Sequence, residues 1–296
     1  FIANGAYTFV NHNNGYYTIT FRDYGAIQFI KDVTSIQLLV VGSGGAGAKS
    51  TAITNGGVTY YIAGGGGQGG QVTYYSNYYV FSQNVYTVDI GVGGIASAGN
   101  TGASNGAPCR FGNIVSFGGA GGNTGNVTTN AQGNVIITGG AGGNTISING
   151  GSGGTGASVA SGLGTVGSAG TEIAFGMNAS AFYGGGGAAG WNGNTTLSTI
   201  SGGNGGGGNN GSSGIDGLGG GGGGANGNSS SIGSGGKGIV MVYVGARPDP
   251  PTALNVSSKT NTTLVISFNP PKRPVIQYTI TATQVGTTTS ITTVFT

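Results

Sequence analysis

The stretch GGGGQGG at residues 64–70 decides how this chain folds, and a similar stretch, GGGGGGANG, follows at 219–227. Glycine supplies 70 of the 296 residues, although it loses the most backbone freedom on ordering and has no side chain to bury. Such tracts are either disordered or packed through their backbones. The runs between them are rich in β-branched and aromatic residues, which favours backbone packing.

The overall composition excludes two common glycine-rich classes. Collagen needs glycine at every third position and much proline, but here the glycines follow no triplet register and there are only 7 prolines. Disordered chains are rich in charge and poor in aromatic residues, whereas charged residues make up 5% of this chain and aromatic residues 9%. The composition therefore predicts an ordered, β-rich protein.

Short runs of strand-forming residues, separated by Asn, Gly and Asp, predict an all-β fold. No window longer than a turn or two has a helical apolar period. We expect a β-sandwich or jelly-roll-like domain, with strands at 7–10, 16–21, 26–30, 35–41, 71–75, 85–92, 113–117, 134–138 and 237–244.

The longest glycine tracts, at 139–170 and 184–236, exceed the usual length of a loop without structure of its own, which is about 12 to 15 residues. We therefore expect them to be extended polyglycine-II-like segments. This helix repeats every three residues or so and has no internal hydrogen bonds. Its N–H and C=O groups must then pair with those of neighbouring tracts.

The composition changes after residue 244. The sequence predicts a glycine-rich β domain at 1–244, a proline-rich linker, GARPDPP, at 245–251, and a second β domain at 252–296. About 50 residues are too few for a sandwich of roughly 100. Either the chain continues, or another chain completes the sheet by strand addition. The start at Phe1, without a methionine, suggests processing or a sequence that begins partway.

Glycine-rich motifs recur between the strands in a fixed order. They are VTSIQLLVVGSGGAGA (33–48), GGGGQGGQVTYY (64–75), YTVDIGVGG (86–94), APCRFGNIVSFGGAGG (107–122), FYGGGGAAG (182–190) and GGKGIVMVYV (235–244). Over about 16–245 the chain resembles the glycine-rich domain of phage tail-fibre, giant-virus surface and bacterial surface proteins. It is similar to glycine-rich domains in which polyglycine-II helices pack side by side.

The end of the chain resembles the first half of a fibronectin type III module. PPTALNVSS (250–258), TTLVISFNPP (262–271) and VIQYTITAT (275–283) match its first three strands, with Phe268 where a tryptophan is usual. Neither resemblance implies catalytic residues.

Few side chains could support catalysis or bind a cofactor. His12 is the one histidine and Cys109 the one cysteine, which we expect to be a small buried hydrophobe. The six acidic residues are spread along the chain, so we predict neither a metal site nor an enzyme. Gly42, Gly44 and Gly47 match a dinucleotide-binding turn, but no helical pattern and no acidic residue follow at the required spacing, so we expect no cofactor.

The sequence predicts neither nucleic-acid binding nor a membrane span. Nine scattered Lys and Arg residues against six acidic ones give a net charge of +3, which lacks the dense basic face that nucleic-acid binding needs. No apolar run reaches the length of about 20 residues that spans a membrane.

Aromatic residues are the more informative class. Adjacent tyrosines in a strand place one of each pair outward. Exposed rings could stack on sugars or anchor a partner, although packing within the sheet or between subunits is the favoured interpretation. Trp191 is the best single candidate for recognition. The candidate residues are Tyr74, Tyr75, Tyr78, Tyr79, Phe81, Phe182, Tyr183 and Trp191.

Glycosylation sequons are frequent. In a eukaryotic secretory route some of them would carry glycan, although several are expected by chance in a chain rich in Asn, Ser and Thr. They begin at Asn126, Asn178, Asn194, Asn210, Asn228, Asn255 and Asn261.

Together these features predict a non-enzymatic structural protein of an extracellular or virion surface, which assembles with itself or with other surface or capsid proteins into a fibre, spike or capsid decoration. The alternative is a receptor-binding adhesin that recognises a host glycan or protein through exposed aromatic loops. A third possibility is an accessory domain of an enzyme.

Overall fold

The chain forms two compact units, Phe1–Gly245 and Ala246–Thr296. The computed structural model describes the first unit at residues 1–12, 15–31, 33–96, 103–144, 149–158, 162–176, 178–193 and 199–245, and the second unit at the strands between 252 and 295.

The described residues contain strands and no helix, which confirms the all-β prediction. The strands are β1 Ile2–Asn11, β2 Tyr17–Gln28, β3 Val33–Val41, β4 Thr51–Asn55, β5 Val58–Ile62, β6 Val72–Val80, β7 Val85–Asp89, β8 Cys109–Phe111, β9 Ile114–Ser116, β10 Asn126–Thr129, β11 Val135–Thr138, β12 Thr171–Ile173, β13 Ala181–Tyr183, β14 Ile239–Val244, β15 Thr252–Lys259, β16 Leu264–Asn269, β17 Tyr278–Thr283 and β18 Ser290–Phe295.

The largest sheet has eight antiparallel strands and is nearly closed like a barrel. Seven of them follow the order β6-β3-β14-β2-β7-β8-β9, and β1 pairs with β2. The two ends of this path approach each other where the hydroxyl groups of Thr73 and Ser116 lie 3.0 Å apart. Both β14 and β7 pair with β2 at positions that also pair with β1. Since a strand has two edges, β14 and β7 share the edge of β2 opposite β1.

Alternating apolar residues on these strands form two cores. On β14, Val240, Val242 and Val244 belong to the larger core, while Ile239 and Tyr243 belong to a smaller one on the other face. This alternation is what a strand buried on both faces requires.

Several predicted boundaries differ from the structure: the strand predicted at 7–10 extends over Ile2–Asn11, and the one predicted at 71–75 extends to Val80. The predicted strands at 16–21 and 26–30 are a single strand, β2, which continues through Gly25. A Cβ atom at position 25 would clash with the Asn4 carbonyl and the Phe21 ring, so glycine fits there. The strand predicted at 85–92 ends at Asp89. The hairpin of β4 and β5, at 51–62, was not predicted.

The glycine tracts are joined by backbone hydrogen bonds that repeat every three residues. In the tract 64–71, successive N–H groups donate to three different tracts in turn. Residues 64, 67 and 70 donate to the carbonyl oxygens of 225, 222 and 219, residues 65, 68 and 71 to those of 123, 120 and 117, and residues 66 and 69 to those of 154 and 151. This pattern is the one expected of polyglycine-II-like segments, whose period is about three residues.

Other tracts donate to the carbonyl oxygens of 64–71. Gly45 and Ala48 donate to Gln68 and Gly65, and Gly187 donates to Gly67, at 2.8 Å in each case. The tract is thus surrounded by backbone. We call this assembly the glycine lattice; it consists of the tracts 42–48, 64–71, 117–123, 151–154, 184–190 and 219–225.

Glycine is required in the lattice because the backbones lie too close for a side chain. A Cβ atom built on Gly67 would clash with the carbonyl oxygens of Gly45 and Ala46, and one on Gly65 would clash with that of Ala141. The glycines of 64–70 are not among those with positive φ. Space between tracts, and not a left-handed backbone, therefore fixes the residue type.

A few asparagine side chains complete the hydrogen bonding where a tract meets a strand. Asn192, which is fully buried, accepts from the Ala63 N–H at 2.8 Å and donates to the Ala157 carbonyl at 2.6 Å. Asn149 accepts from the N–H of Val72 and donates to its carbonyl, and so replaces a strand partner at that point of β6.

The second unit contains two antiparallel pairs, β15 with β16 and β17 with β18. The pairing of β15 with β16 shifts register twice.

Candidate interaction surface

Residues that could carry chemistry are scattered in the structure. Across the described segments, no three His, Cys, Asp or Glu residues lie together as a metal site would need. The His12 ring contacts the Thr18 hydroxyl at 3.0 Å. Cys109 is buried, and burial raises the pKa of its thiol despite hydrogen bonds from Gly91 and Ser43. Within the same segments, no helix is long and apolar enough to cross a membrane.

Strand β6 carries the predicted tyrosines, and one of each adjacent pair is exposed. Tyr75 and Tyr79 are exposed, whereas Tyr74 and Tyr78 are half-buried. The two half-buried rings pack on different cores: Tyr78 against Phe111 in the larger core, and Tyr74 against Phe175 in the smaller one.

An irregularity in β6 explains this division. Tyr75 lies opposite Leu38 and Tyr78 opposite Ile36, so that three residues of β6 span two of β3. The extra residue shifts the side-chain alternation. Tyr75 and Tyr78 therefore lie on the same face, with their ring centroids 5.5 Å apart.

The turn after β6 presents an exposed aromatic pair. The rings of Tyr79 and Phe81 meet edge to face, with centroids 4.8 Å apart, and Phe81 is 55% exposed. The Phe81 N–H donates to the Tyr86 hydroxyl, and the Gln83 N–H to the Phe29 carbonyl. These bonds fix the turn against the end of β2. We call Tyr79, Phe81 and the exposed residues Ile30 and Val85 the apolar tip.

The other three aromatic candidates are less accessible. Tyr183 is buried in the smaller core and Phe182 is half-buried. Trp191 is only 8% exposed, and its backbone N–H donates to the Asn226 side-chain oxygen at 3.0 Å. Among the described residues, the indole Nε1 has no acceptor. The burial of Trp191 corrects its ranking as the best recognition candidate, because a partner can reach little of the ring.

Burial also affects the ionisation of these rings. It raises the pKa of each of five tyrosines above the ordinary value, since the charged phenolate is poorly solvated inside the protein; for Tyr78 and Tyr243, neighbouring tyrosines add to the shift. The five are Tyr17, Tyr74, Tyr78, Tyr183 and Tyr243.

Strand β1 provides a second exposed surface that the sequence did not reveal. Among the strands that the structure describes, β1 pairs with β2 alone. Tyr7, Phe9 and Val10 are exposed on it, Phe9 by 47%, although Phe9 contacts Phe1 and Tyr17. A strand at 7–10 was predicted, but its position at an edge depends on pairing elsewhere in the sheet.

A shallow cavity of about 320 Å³ lies beside the hairpin of β4 and β5. Its walls include Lys49, Tyr61, Asn228 and Ile232. The volume is at the lower end of the range for small-molecule sites, about 300 to 1,000 Å³.

The sequons differ in accessibility. Asn126, Asn178, Asn228 and Asn255 are exposed. Asn210 is half-buried; its side chain accepts from the Ile200 N–H and donates to Asn226, so a glycan would displace both bonds. Asn194 and Asn261 lie outside the described residues.

The lattice and the sheet around it agree with the comparison to protein families. A family model described as a glycine-rich domain matches residues 21–245. Because this match covers most of the chain, the chain belongs to the glycine-rich domain family. No match is found among curated proteins. The fibronectin type III likeness after residue 250 and the viral or bacterial setting remain predictions.

Proposed function

We propose that the chain is a non-enzymatic structural protein of a virion or cell exterior, which assembles with copies of itself or with other surface or capsid proteins into a fibre, spike or capsid decoration. The observation that carries this proposal is the glycine lattice, in which the tract 64–71 bonds on all sides to other backbone.

A lattice of this kind suits an exposed location. Residues 63–70 are all buried, although they lack large apolar side chains. A protease must extract an extended segment of backbone before cleaving it, and here each segment is held by hydrogen bonds to several neighbours. The low charge, 5% of residues, also leaves few cleavage sites for proteases that require Lys or Arg.

The apolar tip and the exposed side of β1 supply surfaces for assembly. Exposed aromatic and aliphatic residues that are contiguous commonly mark contacts between proteins. In a fibre or capsid, repeated contacts would bury Tyr79 and Phe81.

Electron microscopy of the native assembly tests the proposal. We expect repeating particles or filaments in which the glycine-rich domain forms regular contacts. Soluble monomers that bind a glycan tightly would overturn it.

The apolar tip also favours an alternative function, a receptor-binding adhesin. The exposed pair of Tyr79 and Phe81 could stack on the apolar face of a sugar. A glycan array would detect such binding, and Phe81→Ala should remove it while Val58→Ala, a similarly exposed apolar position on β5, should not. Binding that survives Phe81→Ala would exclude the tip as the recognition surface.

A further inference from the structure

Among the described strands, β1 leaves a long edge of the main sheet without a strand partner, and the two ends of the strand path differ from it. At one end, β9 has three residues. At the other, β6 has nine residues, but its start is occupied: Asn149 caps it at Val72, the Ser116 hydroxyl donates to the Gln71 carbonyl, and the Thr73 hydroxyl meets that of Ser116 on β9. Strand β1 has ten residues and, among the described strands, a single partner, β2.

Natural proteins protect such an edge with charge, proline or a bulge. The sequence IANGAYTFVN of β1 has neither a charged residue nor a proline. A register shift does occur, but it lies between Gly5 and Tyr7. From Tyr7 to Val10 the strand is regular and exposed, and it carries Tyr7 at 38% and Phe9 at 47% exposure.

We propose that this edge pairs with β1 of a second copy of the chain, antiparallel and about a two-fold axis at Thr8. This inference rests on the proposed self-assembly and names its interface. A two-fold interface must match its own surface. Pairing centred on Thr8 places Thr8 opposite Thr8 of the partner subunit, and Tyr7 opposite the partner's Phe9.

The chemistry of β1 favours this occupant. Threonine pairs and aromatic pairs are among the favourable cross-strand neighbours, and this register provides both. Two copies of a chain with a net charge of +3 repel each other weakly, and an interface without charged residues adds no further repulsion. A partner selected by charge would find nothing on β1 to recognise.

The size of the contact sets the expected affinity. Pairing over four or five residues is a small interface, below about 1,200 Å² in total, and such interfaces are weak. We expect a dissociation constant in the micromolar range.

The first experiment measures the mass of the full chain against concentration by analytical ultracentrifugation. The wild-type chain should dimerise. Phe9→Lys should weaken the dimer at least tenfold, because two unpaired ammonium groups would meet the interface. Its circular dichroism should stay unchanged, and its melting temperature should fall only slightly, because the ring contacts of Phe9 with Phe1 and Tyr17 are lost. The matched control, Val58→Lys, adds the same charge at an exposed position on β5 and should leave the dimer intact.

The second experiment tests the register by disulfide cross-linking. Two Thr8→Cys chains should form a covalent dimer on mild oxidation, since the paired positions lie within disulfide distance. Thr59→Cys, an exposed threonine on β5, should not. Cys109 is buried and does not interfere.

The outcomes separate the interface from the proposed function. Assemblies that form equally well with Phe9→Lys, and without cross-linking at Thr8→Cys, would overturn the β1 interface and leave the structural function standing. Dimers that form through β1 but never build larger particles would support the interface and count against the fibre. A wild-type chain that stays monomeric up to about 1 mM would overturn the interface and leave β1 to another occupant.

Discussion

The main sheet and the glycine lattice are two regions of one compact unit that are stabilised in opposite ways. In the sheet, side chains such as Phe21, Leu38 and Phe111 fill the core. In the lattice the backbones themselves are the packing surface, and a side chain is excluded. The comparison teaches that burial without side chains requires nearly complete hydrogen bonding, since an unpaired buried N–H or C=O group is costly.

The strongest way to break the lattice is to add one methyl group to it. Gly67→Ala places a Cβ atom against the carbonyl oxygens of Gly45 and Ala46, and these belong to a tract that cannot move without losing its own bonds. We expect the free energy of unfolding, measured with denaturant, to fall by more than about 4 kcal/mol.

The matched control is Gly56→Ala. Gly56 has a φ of 57° and open space around it, so its cost should be the left-handed strain of about 1 to 2 kcal/mol. Equal losses at the two positions would contradict the role given to close packing in the lattice.

The sheet should respond as an ordinary core does. Leu38→Ala removes a fully buried side chain and should reduce the free energy of unfolding by about 3 kcal/mol, through lost burial and the cavity that remains. Val58→Ala, at a site 53% exposed, should change it by less than about 0.5 kcal/mol. A loss at Leu38 as small as that at Val58 would mean that the sheet is not packed through its side chains.

A substitution where the sheet and the lattice meet should have an intermediate effect on the free energy of unfolding. Asn192→Ala leaves the Ala63 N–H and the Ala157 carbonyl without their side-chain partner. We expect a loss of about 2 kcal/mol. Asn126→Ala, at an exposed position on β10, serves as the control, and its stability should match the wild type. A neutral result for Asn192→Ala would show that water or another group replaces the amide.

Alkaline pH should weaken the cores packed by side chains before the glycine lattice, and this is the smallest effect we expect. The ordinary pKa of tyrosine is about 10, and burial raises the pKa of Tyr17 and Tyr183 in the folded state. Above pH 10 or so the unfolded chain loses these protons before the folded one does, so stability falls as pH rises.

Denaturant midpoints measured from pH 8 to 11, with native-state amide hydrogen exchange followed across pH 10, check this. Because 64–70 contains no ionisable side chain, amides in the lattice should stay protected at pH values where those of β2 begin to exchange faster by local opening. Loss of stability on acidification from pH 10 to 8 would contradict the assignment.

Local patterns predicted part of this structure and missed the rest for identifiable reasons. The strands at 35–41 and 237–244 were predictable because apolar alternation is a local signal. The period of about three residues in the tracts could be predicted from the glycine content. The neighbours of each tract could not be predicted, because identical glycines carry no information about which tract lies beside which. Only packing in three dimensions decides that the Gly65 N–H donates to the Asn123 carbonyl.

The candidate surface shows the same limit. Alternation correctly separated Tyr74 from Tyr75, but it could not show that an irregularity moves Tyr78 to the larger core. The glycine-rich sequence around Trp191 predicts an exposed rim, but the residue is 8% exposed, and Gly190 beside it belongs to the glycine lattice. The edge position of β1 depends on its pairing with β2 alone among the described strands, and that pairing cannot be deduced from the sequence of β1.

The hydrogen bonds of 64–71 make the spacing between residues in this tract matter in steps of three. Every third residue donates to the same neighbouring tract. Removing one residue would therefore rotate all later residues by a third of a turn and point each N–H at a different tract. Removal of three residues would restore the phase and shorten the tract by one turn. We therefore expect insertions and deletions within the lattice to be tolerated when they change its length by three residues and to disrupt it otherwise.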